Sequence, residues 1–512
     1  MKTARILMGV FALAALVGCA TNDEGQQNVP GLPSGLETSY LAINLQSADN
    51  ITRVEYEDGT AAEQLISEAT FYFFDAAGNP FSVNANGNYY NVAVTDNGGT
   101  QAPNIESMTD PVLVIEKYKG QFPAKVVAVV NYKGTASLSL SDLKNTLTSV
   151  GHTDGASFVM SNSVYVDAAG EVVDATALTI DNFQTTSADA LANPATIYVE
   201  RLVAKVSLTA GTAAFNTGVK AGEKEVYAKI TGWDLISTNL ESYMVKSVDA
   251  TWVDTDLGFV WNDPAYNRSY WTAKCVAAAA SNAFVPAEVV NADGAIEYIG
   301  EQVGVANTDR AKYVVAAQLQ DADGNPMEIA QWYGYDYIGE EALLAAVAPT
   351  LKSKLMLRTG ADGSYTYTNI DDSQLALVAG LAGAESYEVS FQLAEGVPTA
   401  DWYSFDGTTY TAVADPNAVL AAIQPAKIYK DGVTYYYGDI KHLGAEGKSG
   451  EFGIVRNHSY KINVTGVSGW GTPVYDPTSQ VENPEKPSDK ESYIAAQINV
   501  LSWAIVTNDV IL

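Results

Sequence analysis

Residues 197–208 read Ile197-Tyr198-Val199-Glu200-Arg201-Leu202-Val203-Ala204-Lys205-Val206-Ser207-Leu208, a run whose alternating character predicts one long β-strand. Strand signals recur on both sides of it. Upstream, Tyr40-Leu41-Ala42-Ile43-Asn44-Leu45 places Leu41, Ile43 and Leu45 on one face. Phe71-Tyr72-Phe73-Phe74 runs into Asp75-Ala76-Ala77-Gly78-Asn79-Pro80, a strand closed by a turn. Residues 112–116 are a further strand, and residues 125–131 (KVVAVVN) are so continuously apolar that they predict a central strand. Downstream, residues 228–235, 243–245, 312–319, 433–437 and 459–464 read as strands. Short helices are expected at 141–147, 340–347, 372–378 and 418–423. The last follows Asp415-Pro416, an N-cap with proline at the first helical position. Strands dominate and turn signals are closely spaced, which favours β-sandwich or barrel domains. No fixed-length repeat is visible.

The chain has 512 residues, enough for three domains or two large ones at roughly 150 residues each. It carries 29 Lys and Arg against 60 Asp and Glu, a net charge of −31. Such a chain has no basic footprint for nucleic acid and is ill suited to anionic lipid head groups. Hydrophobic residues make up 47% and charged residues only 17%, so sizeable cores are expected and wholesale disorder is not. Three His and two Cys leave few ligands for zinc or iron. His152, His442 and His458 lack metal-ligand spacing, and His458 reads as structural at a strand start. G-x-S-x-G, HExxH and P-loop motifs are missing, so neither catalytic residues nor a metal or cofactor is assigned and an enzyme is not expected. Asp321-Ala322-Asp323-Gly324-Asn325 resembles half a calcium loop but lacks the Glu at the twelfth position, which makes it a solvated turn. The eight Trp and 30 Tyr could form sugar platforms, although in an all-β protein most such rings are core or cross-strand pairs.

Both chain ends carry signals. Lys2 and Arg5 precede an uncharged apolar run over 6–17, too short to span a bilayer comfortably. It ends in Leu16-Val17-Gly18-Cys19, which resembles a bacterial lipobox with Cys19 as the lipidated residue. Ala20-Thr21-Asn22-Asp23-Glu24 resembles the acidic tag that sends some lipoproteins to the outer cell surface. With Cys19 used in this way, Cys275 has no partner for an intrachain disulfide and reads as a small buried hydrophobe. Residues 20–37 are a polar tether rich in Gly and Pro. At the other end, residues 472–492 contain four Pro and several charges, predicting a stiff linker. At about 3.1 Å per residue it would reach roughly 60 Å. Beyond it, in residues 494–512, the even-numbered positions are mostly apolar, while Leu501 and Trp503 break the polarity of the odd face. Such a strand must bury its apolar face, either in its own sheet or elsewhere.

Several segments together resemble one family. They are the lipobox at Cys19, residues 197–208, Phe259-Val260-Trp261 through Asn267-Arg268-Ser269-Tyr270-Trp271, Val433-Thr434-Tyr435-Tyr436-Tyr437, residues 453–460, and Val500-Leu501-Ser502-Trp503 with Val510 and Leu512. In these the chain resembles the fimbrillins, the type V pilins of oral and gut anaerobes, and among them the shaft subunits of Mfa-type minor fimbriae. The resemblance implies a mainly β protein: two transthyretin-like β-sandwich domains with short helical insertions, and a C-terminal donor strand on a Pro-rich linker. The expected segments are a lipoprotein signal peptide at 1–19, a tether and removable first strand at 20–53, sandwich domains at 54–215 and 216–471, and the linker and donor strand at 472–512.

The resemblance also implies a mechanism. A lipid-anchored precursor reaches the outer membrane, and a protease cuts between Arg53 and Val54. Arg53 is the only Lys or Arg from residue 6 to residue 116. The first strand, with Leu41, Ile43 and Leu45, then leaves a groove. The C-terminal strand of another copy fills it through Ile498, Val500, Val506, Val510 and Leu512, and repetition builds a cell-surface fimbrium. The implied partners are further copies in a head-to-tail filament, accessory anchor and tip subunits, and the processing protease. The lipid anchor belongs to the precursor alone. A rival expectation is a glycan-binding surface lipoprotein of a polysaccharide-uptake system. It would share the lipobox, acidity and aromatic content but has no reason to carry a tethered terminal strand.

Overall fold

In the computed structural model, which describes residues 38–47, 56–60, 63, 65–93, 111–116, 121–149, 157–166, 171–239, 241–248, 272, 275, 283–303, 310–379, 387–481 and 493–504, the run 197–208 is two strands. Ala195–Arg201 and Val203–Thr209 are parted at Leu202 and belong to different sheets. Both halves alternate, so the pattern itself shows no break. The break comes from distant chain: Leu202 is buried with its N–H donating to the Val159 carbonyl, and the buried Arg201 guanidinium donates to the Glu63 carbonyl. The boundary between the two main bodies therefore falls at 202, not at 215, because Val203–Thr209 already pairs with strands of the second body.

Among the described residues, nine strands form the first sheet. Lys125–Val130 lies at its centre, paired with Glu68–Phe74 on one side and Met160–Asn162 on the other. Val126, Ala128 and Val130 join Phe71 and Phe73 in one core, while Val127 and Val129 join Tyr72, Phe74, Leu140 and Leu143 in another. A strand covered on both faces cannot alternate in polarity, hence the continuous apolar run. The helix Leu140–Asn145 that covers the second face is capped by Ser139, whose Oγ accepts from the Asp142 N–H.

The second body is a sandwich of two five-stranded sheets. One runs Ile296–Gly300, Val203–Thr209, His458–Ser468, Tyr493–Ala504, Tyr56–Asp58. The other runs Phe215–Ala221, Lys224–Ile236, Lys312–Gln320, Val433–Asp439, Thr472–Pro473. Val206, Leu208, Ile462 and Val464 from the first meet Trp233, Leu235, Tyr313 and Val315 from the second. The mainly β, sandwich-type architecture expected from the sequence is present, and the α-helices among the described residues are short.

Three further expectations differ from the structure. First, residues 216–471 are not one sandwich. Between Lys312–Gln320 and Val433–Asp439 the chain builds a further unit from a five-stranded and a four-stranded sheet. Its own core contains Trp332, Leu343, Val347, Phe391, Trp402 and Leu420. The helix Pro416–Ala421 sits in it as expected, with the Asp415 carboxylate accepting from the Ala418 N–H. Secondly, residues 372–378 are a 3-10 turn, Asp372–Gln374, followed by the strand Leu375–Ala379. Leu375 and Leu377 are both buried, so the two-residue period prevailed. Thirdly, the first half of the Pro-rich stretch is packed. Thr472–Pro473 pairs with Thr434 and Tyr435, Val474 and Val481 are buried, and Val481 exchanges backbone hydrogen bonds with Phe284. Proline at a sheet edge gives up no ladder bond, and valine between prolines still has an apolar surface to bury.

A carboxyl pair lies in the second body. Burial, followed by the neighbouring Asp234 carboxylate, pushes the Glu297 carboxyl up to about 8, and the Asn291 side chain donates to it. Glu297 thus holds its proton in the folded state at pH values where the unfolded chain, near 4.5, has lost it. The folded state binds the extra proton, so this group's stabilising contribution is complete below about pH 4.5 and is lost as pH rises towards about 8. Glu297→Gln should flatten that decline, and melting temperatures across pH 5–9 for both proteins measure it. An unchanged slope would show that the group does not titrate in this window.

Candidate assembly site

The first strand, Thr38–Ser47, is seated inside the first sheet. Thr38 to Ala42 pair antiparallel with Val112–Glu116, and Ile43 to Ser47 pair parallel with Ala195 to Val199. Leu41, Ala42 and Ile43 are all fully buried. Leu41 and Ile43 enter the core with Leu113, Ile115, Phe183, Ile197 and Val199. The helix Ser187–Ala192 packs against the strand as well. Each side chain of this size contributes about 1.5–3 kcal/mol on full burial. Leu45 stands opposite Ile197 in the register. Tyr40 and Leu41 also pair antiparallel with Gln184 and Phe183, so removing this strand would leave unpaired ladder groups on three neighbours and expose the core beneath.

The terminal strand, Tyr493–Ala504, is seated in the second body. From Tyr493 to Ser502 it pairs antiparallel with His458–Ser468, with a register shift between Val464 and Gly466. The family resemblance implies that this segment fills the groove of another copy; in the structure Tyr493–Ala504 instead lies in the chain's own sheet. A strand of twelve residues left without a neighbour finds the nearest free edge. The register sets Ala496 opposite Val464, Ile498 opposite Ile462 and Val500 opposite Tyr460, all three partners being buried. The odd positions Gln497 and Asn499 stand opposite Asn463 and Lys461, which are more accessible. Cys19, Arg53, Val54, Val506, Val510 and Leu512 lie outside the described residues.

Between the two seats lies a buried polar seam that the strand pattern did not reveal. Glu63, 1% exposed, receives hydrogen bonds on its carboxylate from Tyr298 Oη and the Thr60 N–H, both at 2.6 Å, and lies 3.6 Å from Lys205 Nζ. The Glu63 carbonyl accepts Arg201 Nε and Nη2 at 3.0 and 2.8 Å. Asn457 donates its N–H to the Val203 carbonyl and accepts the Arg201 N–H, joining the break at 202 to the head of His458–Ser468. Arg456 pairs with Glu301 at 2.9 Å and donates to the Tyr243 carbonyl, while Lys246 pairs with Glu200 at 3.4 Å. His458 begins its strand fully buried, with Nδ1 2.8 Å from the Arg456 carbonyl, a structural role as expected. Truncating one partner of such a pair costs about 3–5 kcal/mol, since the other charge stays buried. Charged residues inside strand-like runs, such as Glu200, Arg201 and Lys205, were the available signal. Their partners are far away in sequence, so no local reading could pair them.

Two other segments singled out in the sequence make ordinary hydrogen bonds. Asp321 accepts from the Asp323 and Asn325 N–H groups in an exposed turn. Cys275 is half-buried, its thiol donates to the Val303 carbonyl, and burial raises its pKa.

The fold and its two seated end strands define a β-sandwich protein with a long strand docked from each end of the chain. Residues 427–509 match the family described as Major fimbrial subunit protein type IV, Fimbrillin, C-terminal. That segment includes both His458–Ser468 and the terminal strand, and in it the chain is similar to the fimbrillins that its sequence resembles. No curated protein matches the sequence. Among solved structures, it is similar to a candidate cell-adhesion protein of Parabacteroides distasonis at 11% identity, covering 92% of this chain and 98% of that one, with a TM-score of 0.39. It is similar to the fimbrilin FimA of Porphyromonas gingivalis at 15% identity, covering 91% and 99%, with a TM-score of 0.37. It is also similar to the tip fimbrial protein Mfa3 of Porphyromonas gingivalis at 11% identity, covering 91% and 100%, with a TM-score of 0.31.

Proposed function

We propose that this chain is a structural shaft subunit of a cell-surface fimbrium that polymerises by protease-triggered strand exchange and supports adhesion. Cys19 anchors the precursor in the outer membrane, and cleavage after Arg53 frees Thr38–Ser47 to leave the first sheet. Residues 493–512 of a second copy then enter the slot. Anchor and tip subunits complete the fimbrium. The observation that carries this reading is the position of Thr38–Ser47: a strand from ahead of the body lies between partners with its central side chains fully buried. β-Strand addition supplies ladder bonds and side-chain pockets to such a slot. A head-to-tail contact of this kind does not close on itself, so it yields filaments. The test is electron microscopy of precursor treated with a trypsin-like protease, with N-terminal sequencing of the product. Filaments are expected only after cleavage, with Val54 as the new first residue. Arg53→Ala protein that still yields protease-dependent filaments would overturn Arg53 as the trigger.

A further inference from the structure

One short piece of chain connects the two seats. Tyr56–Asp58 pairs in parallel with the end of the terminal strand, Tyr56 opposite Ser502, Glu57 opposite Trp503 and Asp58 opposite Ala504. His458–Ser468 takes the other edge of the terminal strand as far as Ser502, and Tyr56–Asp58 pairs with its last three residues on the free edge. Downstream, the same chain is fixed at Glu63 through Arg201, Lys205, Tyr298 and Thr60. Upstream, the chain leads through Arg53 to Ser47, which is held in register with Val199 in the first sheet. In the uncut chain the short strand is thus tied at both ends.

We infer that Tyr56–Asp58 is a latch on the terminal strand, closed while the upstream chain is intact and weakened by cleavage. One cut then empties the slot in the first sheet and loosens the strand that will fill the slot of another copy. This rests on the proposed strand exchange and adds its regulation. Three residues of parallel pairing are marginal by themselves. Tied at both ends, they pair at a high effective concentration. With one end cut they become a chain terminus, the part of a fold that frays first. The latch also sits on Ser502 to Ala504, the end from which the terminal strand would peel away from His458–Ser468.

The experiment is hydrogen exchange on dilute, monomeric protein with a site-specific protease sequence placed within residues 48–55, so that it does not depend on Arg53. Cleavage is expected to speed exchange across residues 493–504 on the order of tenfold, while Lys312–Gln320 in the opposite sheet keeps its protection. In uncut protein, Glu57→Pro and Asp58→Pro are compared. Neighbouring residues of a strand direct their N–H groups to opposite sides, so one of the two removes the ladder donor and should reproduce the effect of the cut. The other should fall clearly short of it. Unchanged exchange at 493–504 after cleavage overturns the latch, as does equal exchange in both proline variants and uncut wild type. Filament assays keep the two ideas apart. Unchanged exchange with normal filaments removes the latch alone, whereas filaments from a cut chain lacking residues 493–512 remove the donor-strand reading alone.

Discussion

Deleting residues 493–512 is expected to abolish filament formation by the cleaved protein. In the proposed exchange this segment is what one copy inserts into the next. The deletion has a second consequence, visible only in the structure. It strips the partner from His458–Ser468, an eleven-residue strand whose ladder then lies open, so the truncated monomer should melt earlier than the full chain. Point changes beyond Ala504 keep every residue of that strand. Val506→Asp and Val510→Asp leave Tyr493–Ala504 untouched, and each would bring a charge into an apolar pocket of the receiving copy at a cost of several kcal/mol. Both should suppress filaments far more than Thr507→Asp. Light scattering and electron microscopy on cleaved protein provide the readout, with circular dichroism confirming the fold of each variant. Normal filaments from the truncated chain would sink the donor-strand mechanism. Equal effects at 506, 507 and 510 would overturn only the choice of buried face.

Ile43→Asp should open the slot without any cleavage. Ile43 is fully buried, stands opposite Ala195 and donates its N–H to the Pro111 carbonyl. Leu41, Leu113, Ile197 and Val199 share its core, apolar surroundings for a carboxylate. Burying it there costs several kcal/mol, whereas Ile43→Val should cost only about 0.5–1.5 kcal/mol. Hydrogen exchange at Ala195–Arg201 in the uncut protein reports whether the strand is still seated. The Asp variant is expected to lose most protection there and the Val variant to keep it. Wild-type protection in the Asp variant would mean that the seat does not depend on this side chain.

The two seats were not equally legible in advance. Alternation alone placed Leu41 and Ile43 on one face of the first strand, and the structure buries both. Alternation also selected the even-numbered face of the terminal segment, and the register sets Ile498 and Val500 opposite buried Ile462 and Tyr460. The three residues Tyr56–Asp58 were invisible: they are too short for a period, and their pairing partner lies at the opposite end of the chain.

By itself, the sequence determined the properties that depend on neighbours a few residues away. It set the strand character of 112–116 and 125–130, the doubly covered centre of the first sheet, and the cap at Asp415-Pro416. Only the tertiary structure decided where strands go. A two-residue period reads the same whether a strand stays in one sheet or passes into another, so the division at Leu202 had to come from Arg201 reaching Glu63 and Asn457 reaching Val203. For the same reason the terminal strand's alternation was readable while its seat was not. A face is a property of the segment, whereas a seat exists only once His458–Ser468 and Tyr56–Asp58 have been brought together from opposite ends of the chain.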